Sequence, residues 1–142
     1  LFFVDKYYKP RLPLNLTKYL LKFANSSIDV SDGLIDDLAK MINRQSLSFH
    51  LFENKIPVSN KLSNLIKKQR LNKINLISNG DDYQVLFTAD IKKARIIQKA
   101  SKTTGIKITK IGKIVSGKDR SLIFDEKGKQ IRAKSKGYIH RF

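Results

Sequence analysis

The sequence predicts an α+β fold, a two-layer mixed β-sheet with helices packed on it. Three observations predict it. Segments with apolar residues at helical spacing alternate along the chain with short, β-rich segments. A hairpin signal, Asp125-Glu-Lys-Gly128 flanked by residues 122–124 and 130–132, falls late in the chain. Hydrophobic residues make up 41% of 142 residues, enough for one real core and one ordinary domain over residues 1–142. Such alternation, closed by a hairpin, is met by helices covering a mixed sheet.

The elements follow in order. Residues 7–13 read as extended, because Pro10 and Pro13 push their predecessors out of the helical region. Residues 14–24 place Leu14, Leu16, Leu20, Leu21 and Phe23 at helical spacing, which predicts an amphipathic helix. A short strand is expected at 27–30. A helix over 32–43 follows from Leu34, Ile35, Leu38, Met41 and Ile42. Residues 47–52 alternate, with Leu47, Phe49 and Leu51 on one face, and predict a strand. A helix is expected over 59–71, a break at 72–75, a short apolar run at 74–77 and a tight Gly-bearing loop at 78–82. Val85-Leu86-Phe87 marks a strand over 83–88. Residues 90–103 read as a helix stopped by Gly105. Residues 106–115 alternate around Gly112, and 122–124 and 130–132 flank the hairpin turn.

Charge divides the chain unevenly. Lys and Arg number 29 against 12 Asp and Glu, a formal net charge of +17. Yet Asp29, Asp32, Asp36 and Asp37 form one acidic group and Asp81 with Asp82 another, and no Lys or Arg occurs over 24–39 or 74–91. Acids grouped with cations kept out suggest a place that holds divalent metal between protein and phosphate. Asp29 and Asp32 lie three apart across an expected strand-to-helix junction, with Ser31 between them. There the first N–H groups of a helix are unpaired, so a phosphate oxygen can accept from them while the two carboxylates hold Mg²⁺. Gly33 would let a ligand approach the backbone. The alternative is capping alone. Ser31 or Asp32 would be an N-cap, and Asp36 and Asp37 would complement the helix dipole. Asp36, four residues after Asp32, would otherwise serve as its partner. The second group, Asn79-Gly80-Asp81-Asp82-Tyr83, is either an Asp-Gly-type turn or a second part of the same site.

Other classes are excluded or weakened. With no cysteine there are no disulfides, thiolate metal sites or cysteine nucleophile, which suits a reducing cytosol. Two histidines, His50 and His140, are too few for a zinc cluster. His50 is expected to face the surface. Neither a P-loop nor a Gly-x-Gly-x-x-Gly run is present. No apolar run approaches a membrane span, and the start lacks the pattern of a signal peptide. Because it is not Met, the chain is expected to begin inside a longer protein or to have been trimmed. A basic, non-catalytic domain binding nucleic acid or another polyanion remains an alternative, without any clustered Arg/aromatic motif to support it.

The run Ser27-Ile-Asp29-Val-Ser31-Asp32-Gly33-Leu34-Ile-Asp-Asp37-Leu38 is followed by Ser78-Asn-Gly80-Asp81-Asp82-Tyr83-Gln-Val-Leu-Phe87-Thr88, Ile108-Thr-Lys-Ile-Gly112-Lys-Ile and Gly137-Tyr138-Ile-His140-Arg-Phe142. In order and spacing this series resembles the C-terminal half of thiamine-monophosphate kinase, in the superfamily of aminoimidazole ribonucleotide synthetase and selenophosphate synthetase. The resemblance implies transfer of the γ-phosphoryl of ATP to thiamine monophosphate, giving thiamine diphosphate with Mg²⁺, in a cytoplasmic homodimer built through the N-terminal half. It implies that Asp29 and Asp32 are Mg²⁺ ligands, that Ser31 contacts ATP, and that Asp81 and Tyr138 contact the substrate. Asp81 stands where the family has a glutamate, Lys136 where it has a glycine, and Arg141 as an insertion. The family's N-terminal half has no counterpart in these residues, so the chain alone is expected to be inactive. Another ATP-dependent enzyme of the superfamily would keep Asp29 and Asp32 and change the roles of Asp81 and Tyr138. No nucleophilic residue is expected, since phosphoryl transfer needs alignment and charge neutralisation.

Overall fold

A computed structural model describes residues 2–10, 12–43, 45–80 and 83–132. Two helices, α1 (Phe2–Tyr8) and α2 (Leu14–Phe23), lead into strand β1 (Ala24–Val30) and helix α3 (Leu34–Met41). Strand β2 (Leu47–Phe52), helices α4 (Asn60–Gln69) and α5 (Lys73–Ile77) and strand β3 (Gln84–Ala89) follow. Helix α6 (Ala94–Thr104) and strands β4 (Gly112–Ser116), β5 (Leu122–Phe124) and β6 (Gln130–Ile131) complete the described chain.

The strands form two sheets. β1 and β3 pair antiparallel, and a four-stranded sheet has the order β4-β2-β5-β6. The mixed pairing predicted from the sequence is found in the second sheet. There β2 runs antiparallel to β4 but parallel to β5, with His50 opposite Leu122. The β5–β6 hairpin pairs Ile123 with Ile131, and its turn carries the Asp125 and Gly128 hydrogen bonds expected of it.

The helices form where apolar spacing demanded them. α3 buries Leu34 and Leu38, one turn apart, against Phe49 and Leu51 of β2 and Ile123 of β5. Each such side chain contributes about 1.5–3 kcal/mol by leaving water. A second cluster joins Leu16 and Phe23 of α2 to Ala100 of α6, and the rings of Phe23 and Phe87 lie 5.2 Å apart. α4 starts at Ser59, whose side chain accepts from the Leu62 N–H, and α6 ends at Gly105. Lys73 of α5 donates to the carbonyls of Glu53 and Ile56, both at 2.7 Å. Burial pushes the Lys73 ammonium below its ordinary value, against the nearby charge of Glu53.

Two readings are corrected. Residues 7 and 8 belong to α1 rather than to an extended segment. Pro10 restricts only Lys9, so the helix can run up to Tyr8. The run 74–77 is helical, because the Asn72 side chain caps it by accepting from the Asn75 N–H at 3.1 Å.

Candidate functional site

β1 alternates cleanly. Ser26, Ile28 and Val30 turn inward, while Asn25, Ser27 and Asp29 are exposed. Asp29 therefore lies on the outer face, opposite Val85 of β3. The strand ends at Val30 and three residues, Ser31-Asp32-Gly33, lead to α3. Gly33 is the N-cap, at φ 128° and without a side-chain cap bond. The capping alternative for Ser31 or Asp32 is thus not what forms.

The carboxylate of Asp37 forms the cap instead. Its Oδ2 accepts from the N–H groups of Ser31 at 2.9 Å, Asp32 at 2.9 Å and Gly33 at 3.2 Å. Three consecutive donors of the segment that leads into the helix are satisfied by one buried oxygen. The N–H groups of residues 31–33 are therefore taken up within the chain by Asp37. Its other oxygen, Oδ1, accepts from the Lys40 ammonium at 3.0 Å. Burial by itself raises the Asp37 carboxyl. The hydrogen bond from Lys40, those from the Asp32 and Ser31 backbone, and the Lys40 charge outweigh it, and the carboxyl is held below its ordinary value.

Lys40 also pairs with Oδ2 of Asp32. The acid-rich segment thus carries a cation from just beyond its end, at the first position outside the cation-free stretch. The two carboxylates raise the Lys40 ammonium through the hydrogen bond to Asp32, then that to Asp37. The sequence placed Asp37 in the acidic group as a complement to the helix dipole, not in this role, and did not single out Lys40. The available signal was Asp37 and Lys40 at i, i+3, where helical side chains meet.

The second motif packs onto the first, backbone against backbone. A Cβ on Gly33 would lie 2.4 Å from the Ser78 carbonyl oxygen, and one on Gly80 would lie 2.3 Å from the Ser31 carbonyl oxygen. Gly33 therefore admits the 78–80 loop into the space that a side chain would fill. The Tyr83 N–H donates to the Val30 carbonyl at 2.9 Å, where the two strands begin to pair. Asp81 and Asp82, and Tyr138 and His140, lie outside the described residues. His50 is half-buried, its ring 5.5 Å from that of Phe124.

Among the described residues no group of three or more His, Asp or Glu side chains gathers as a metal cluster. Two carboxylates with waters and phosphates are a usual Mg²⁺ complement. Hard oxygen donors and an ammonium already resting on Asp32 fit a cation there. A crevice of about 1400 Å³, lined by Leu38, Phe49, Leu86 and Ile114, is not lined by Asp29, which is exposed, or by Ser31 and Asp32, which are half-buried. Among the described residues no helix is long and apolar enough to cross a membrane.

No protein-family model matches the chain. It is 31% identical over 140 residues to the thiamine-monophosphate kinase of Buchnera aphidicola subsp. Schizaphis graminum, covering 98% of this chain and 42% of that protein. The chain is homologous to the thiamine-monophosphate kinases. With the Aquifex aeolicus (strain VF5) thiamine-monophosphate kinase it shares 33% identity over 86 residues, covering 60% of this chain and 28% of that protein. Its fold matches a solved structure of AaThiL complexed with AMPPCP and TMP. The TM-score is 0.72 at 27% identity, over 97% of this chain and 40% of that one. A crystal structure of the thiamine-monophosphate kinase from Aquifex aeolicus gives 0.66 at 26% identity, over 90% and 40% of the two chains. This chain thus spans only 28% to 42% of these thiamine-monophosphate kinases.

Proposed function

We propose that this chain is the C-terminal domain of a thiamine-monophosphate kinase, which transfers the γ-phosphoryl of ATP to thiamine monophosphate and gives thiamine diphosphate. The observation that carries the reading is the joining of the two motif loops, 31–33 against 78–80, in a fold shared with a kinase structure that holds AMPPCP and TMP. In this reading Asp29 and Asp32 hold Mg²⁺, Ser31 contacts ATP, and Asp81 and Tyr138 contact the substrate. Bound Mg²⁺ supplies neutralisation of phosphate charge. The chain's own part is positional. Asp37 fixes the backbone of residues 31–33, so the Asp32 and Ser31 side chains leave a loop that is already ordered. Asp29, at the end of a paired strand, is fixed by the β1–β3 ladder.

Asp29 is exposed and Asp32 partly so, and in this reading the phosphates they meet are enclosed by another wall. An N-terminal half, joined or separate, would supply it, and the chain alone would be inactive. Cytoplasmic location and a homodimer built through that half belong to the same proposal. The test supplies this chain with the N-terminal half of the Buchnera relative and measures thiamine diphosphate formation. Asp29→Ala and Asp32→Ala are each expected to lower turnover at least about 100-fold with the circular dichroism spectrum unchanged. Near-normal turnover in both would overturn the site assignment.

A further inference from the structure

We propose that Lys40 is a resident cation on the Asp32 carboxylate, one that a divalent ion has to displace, and that Asp37 retains the ammonium when it is displaced. The inference rests on the reading of Asp29 and Asp32 as metal ligands. Lys40 Nζ pairs with Asp32 Oδ2 and lies 3.0 Å from Asp37 Oδ1. Its two partners are not equivalent. The Asp37 side chain is 2% exposed and is anchored by three backbone N–H groups, whereas Asp32 is 32% exposed. The Lys40 side chain is 51% exposed, so its flexible stem can swing without disturbing the core.

An ion approaching Asp32 from solvent meets the ammonium at the carboxylate it needs. Two cations on one carboxylate repel each other, so the ammonium leaves Asp32 as the metal arrives. It does not leave unpaired, because Asp37 Oδ1 stays within reach. Without metal, the same ammonium offsets the repulsion between the Asp32 and Asp37 carboxylates. Removing it leaves the loop in place, since Asp37 Oδ2 still binds residues 31–33. Competition is therefore the effect that a substitution exposes.

Mn²⁺ binding to the full chain, followed by electron paramagnetic resonance, tests this. Lys40→Met keeps the stem and removes the charge. It is expected to tighten Mn²⁺ binding about 2- to 5-fold, the range of a partly exposed ion pair. Lys40→Arg is expected to stay within about twofold of the natural chain, because the charge remains. Lys40→Gln, polar but neutral, is expected to follow Lys40→Met and serves if the latter lowers the Tm. Equal or weaker binding by both neutral variants would overturn the inference while leaving the metal reading in place. Absence of Mn²⁺ binding by every protein, the natural chain included, would overturn both.

Discussion

Asp37 and Asp125 make similar bonds in different surroundings. Asp125 Oδ1 accepts from the N–H groups of Lys127 at 2.9 Å and Lys129 at 2.8 Å, in the exposed turn between β5 and β6. Asp37 Oδ2 accepts from three consecutive N–H groups that precede it, out of solvent, with Lys40 on its other oxygen. The first carboxylate closes a hairpin and touches nothing beyond it in these bonds. The second holds a loop onto which another loop is pressed. A carboxylate on backbone N–H groups is a turn device when exposed. Once buried between two segments, the same chemistry fixes a loop and the direction in which its side chains leave it.

The largest test of that difference acts on the loop contact itself. Gly80→Ala places a Cβ on the Ser31 carbonyl at φ 80°, and Gly33→Ala places one on the Ser78 carbonyl at φ 128°. Each is expected to lower stability by more than about 3 kcal/mol, since the obstacle is backbone and the conformation disfavours a side chain. A stability loss in urea unfolding of less than about 1 kcal/mol would show that the two loops do not touch. Next comes Asp37→Ala, which orphans three N–H groups and the inner bond of Lys40. A loss of about 3 kcal/mol is expected.

A pH titration of stability sharpens the comparison further. The Asp37 carboxyl titrates below its ordinary 3.8 in the folded chain. Between the folded and unfolded values the unfolded chain binds more protons, so stability falls as pH falls. The Asp37 contribution is intact above the unfolded value and disappears as pH drops through the folded one. Asp37→Asn should flatten this acid limb in metal-free buffer, and an unchanged limb would mean that the bonds are not charge-assisted. The smallest effect is expected from Asp125→Ala, a loss of about 1 kcal/mol or less, because water can replace the carboxylate there. Equal losses at Asp37 and Asp125 would erase the distinction.

Much of the architecture could be read from spacing. α2, α3, α4 and α6 announce themselves by apolar residues on one helical face, and Asp125 to Gly128 announces the hairpin. α1 was hidden because the effect of Pro10 reaches only one residue back. α5 was hidden because a five-residue apolar run carries no period that separates helix from strand. At the site, the two motifs were visible in the sequence, and the structure presses residues 31–33 of the first against 78–80 of the second. The roles of Asp37 and Lys40 were not visible. Their bonds run backward across a loop whose path depends on φ 128° at Gly33, and side-chain spacing does not encode that path. Nor does spacing reveal that the space freed by Gly33 is filled by Ser78.

The register of β1 on β3 sets the moment in folding at which the site can exist. Val30 pairs with Gln84, and α3, β2, α4 and α5 all lie between them in the chain. The bonds among Asp32, Asp37 and Lys40 are local and can form with α3. The wall at 78–80 arrives only when that long segment has closed, a slow and entropically costly event. A two-stranded sheet has little stability of its own, so this closure depends on the cores on either side. A chain halted before it would own a well-formed acidic helix start and still have no site. Under the proposed reading, competence of Asp29 and Asp32 would therefore report on completed tertiary structure, not on the local start of α3.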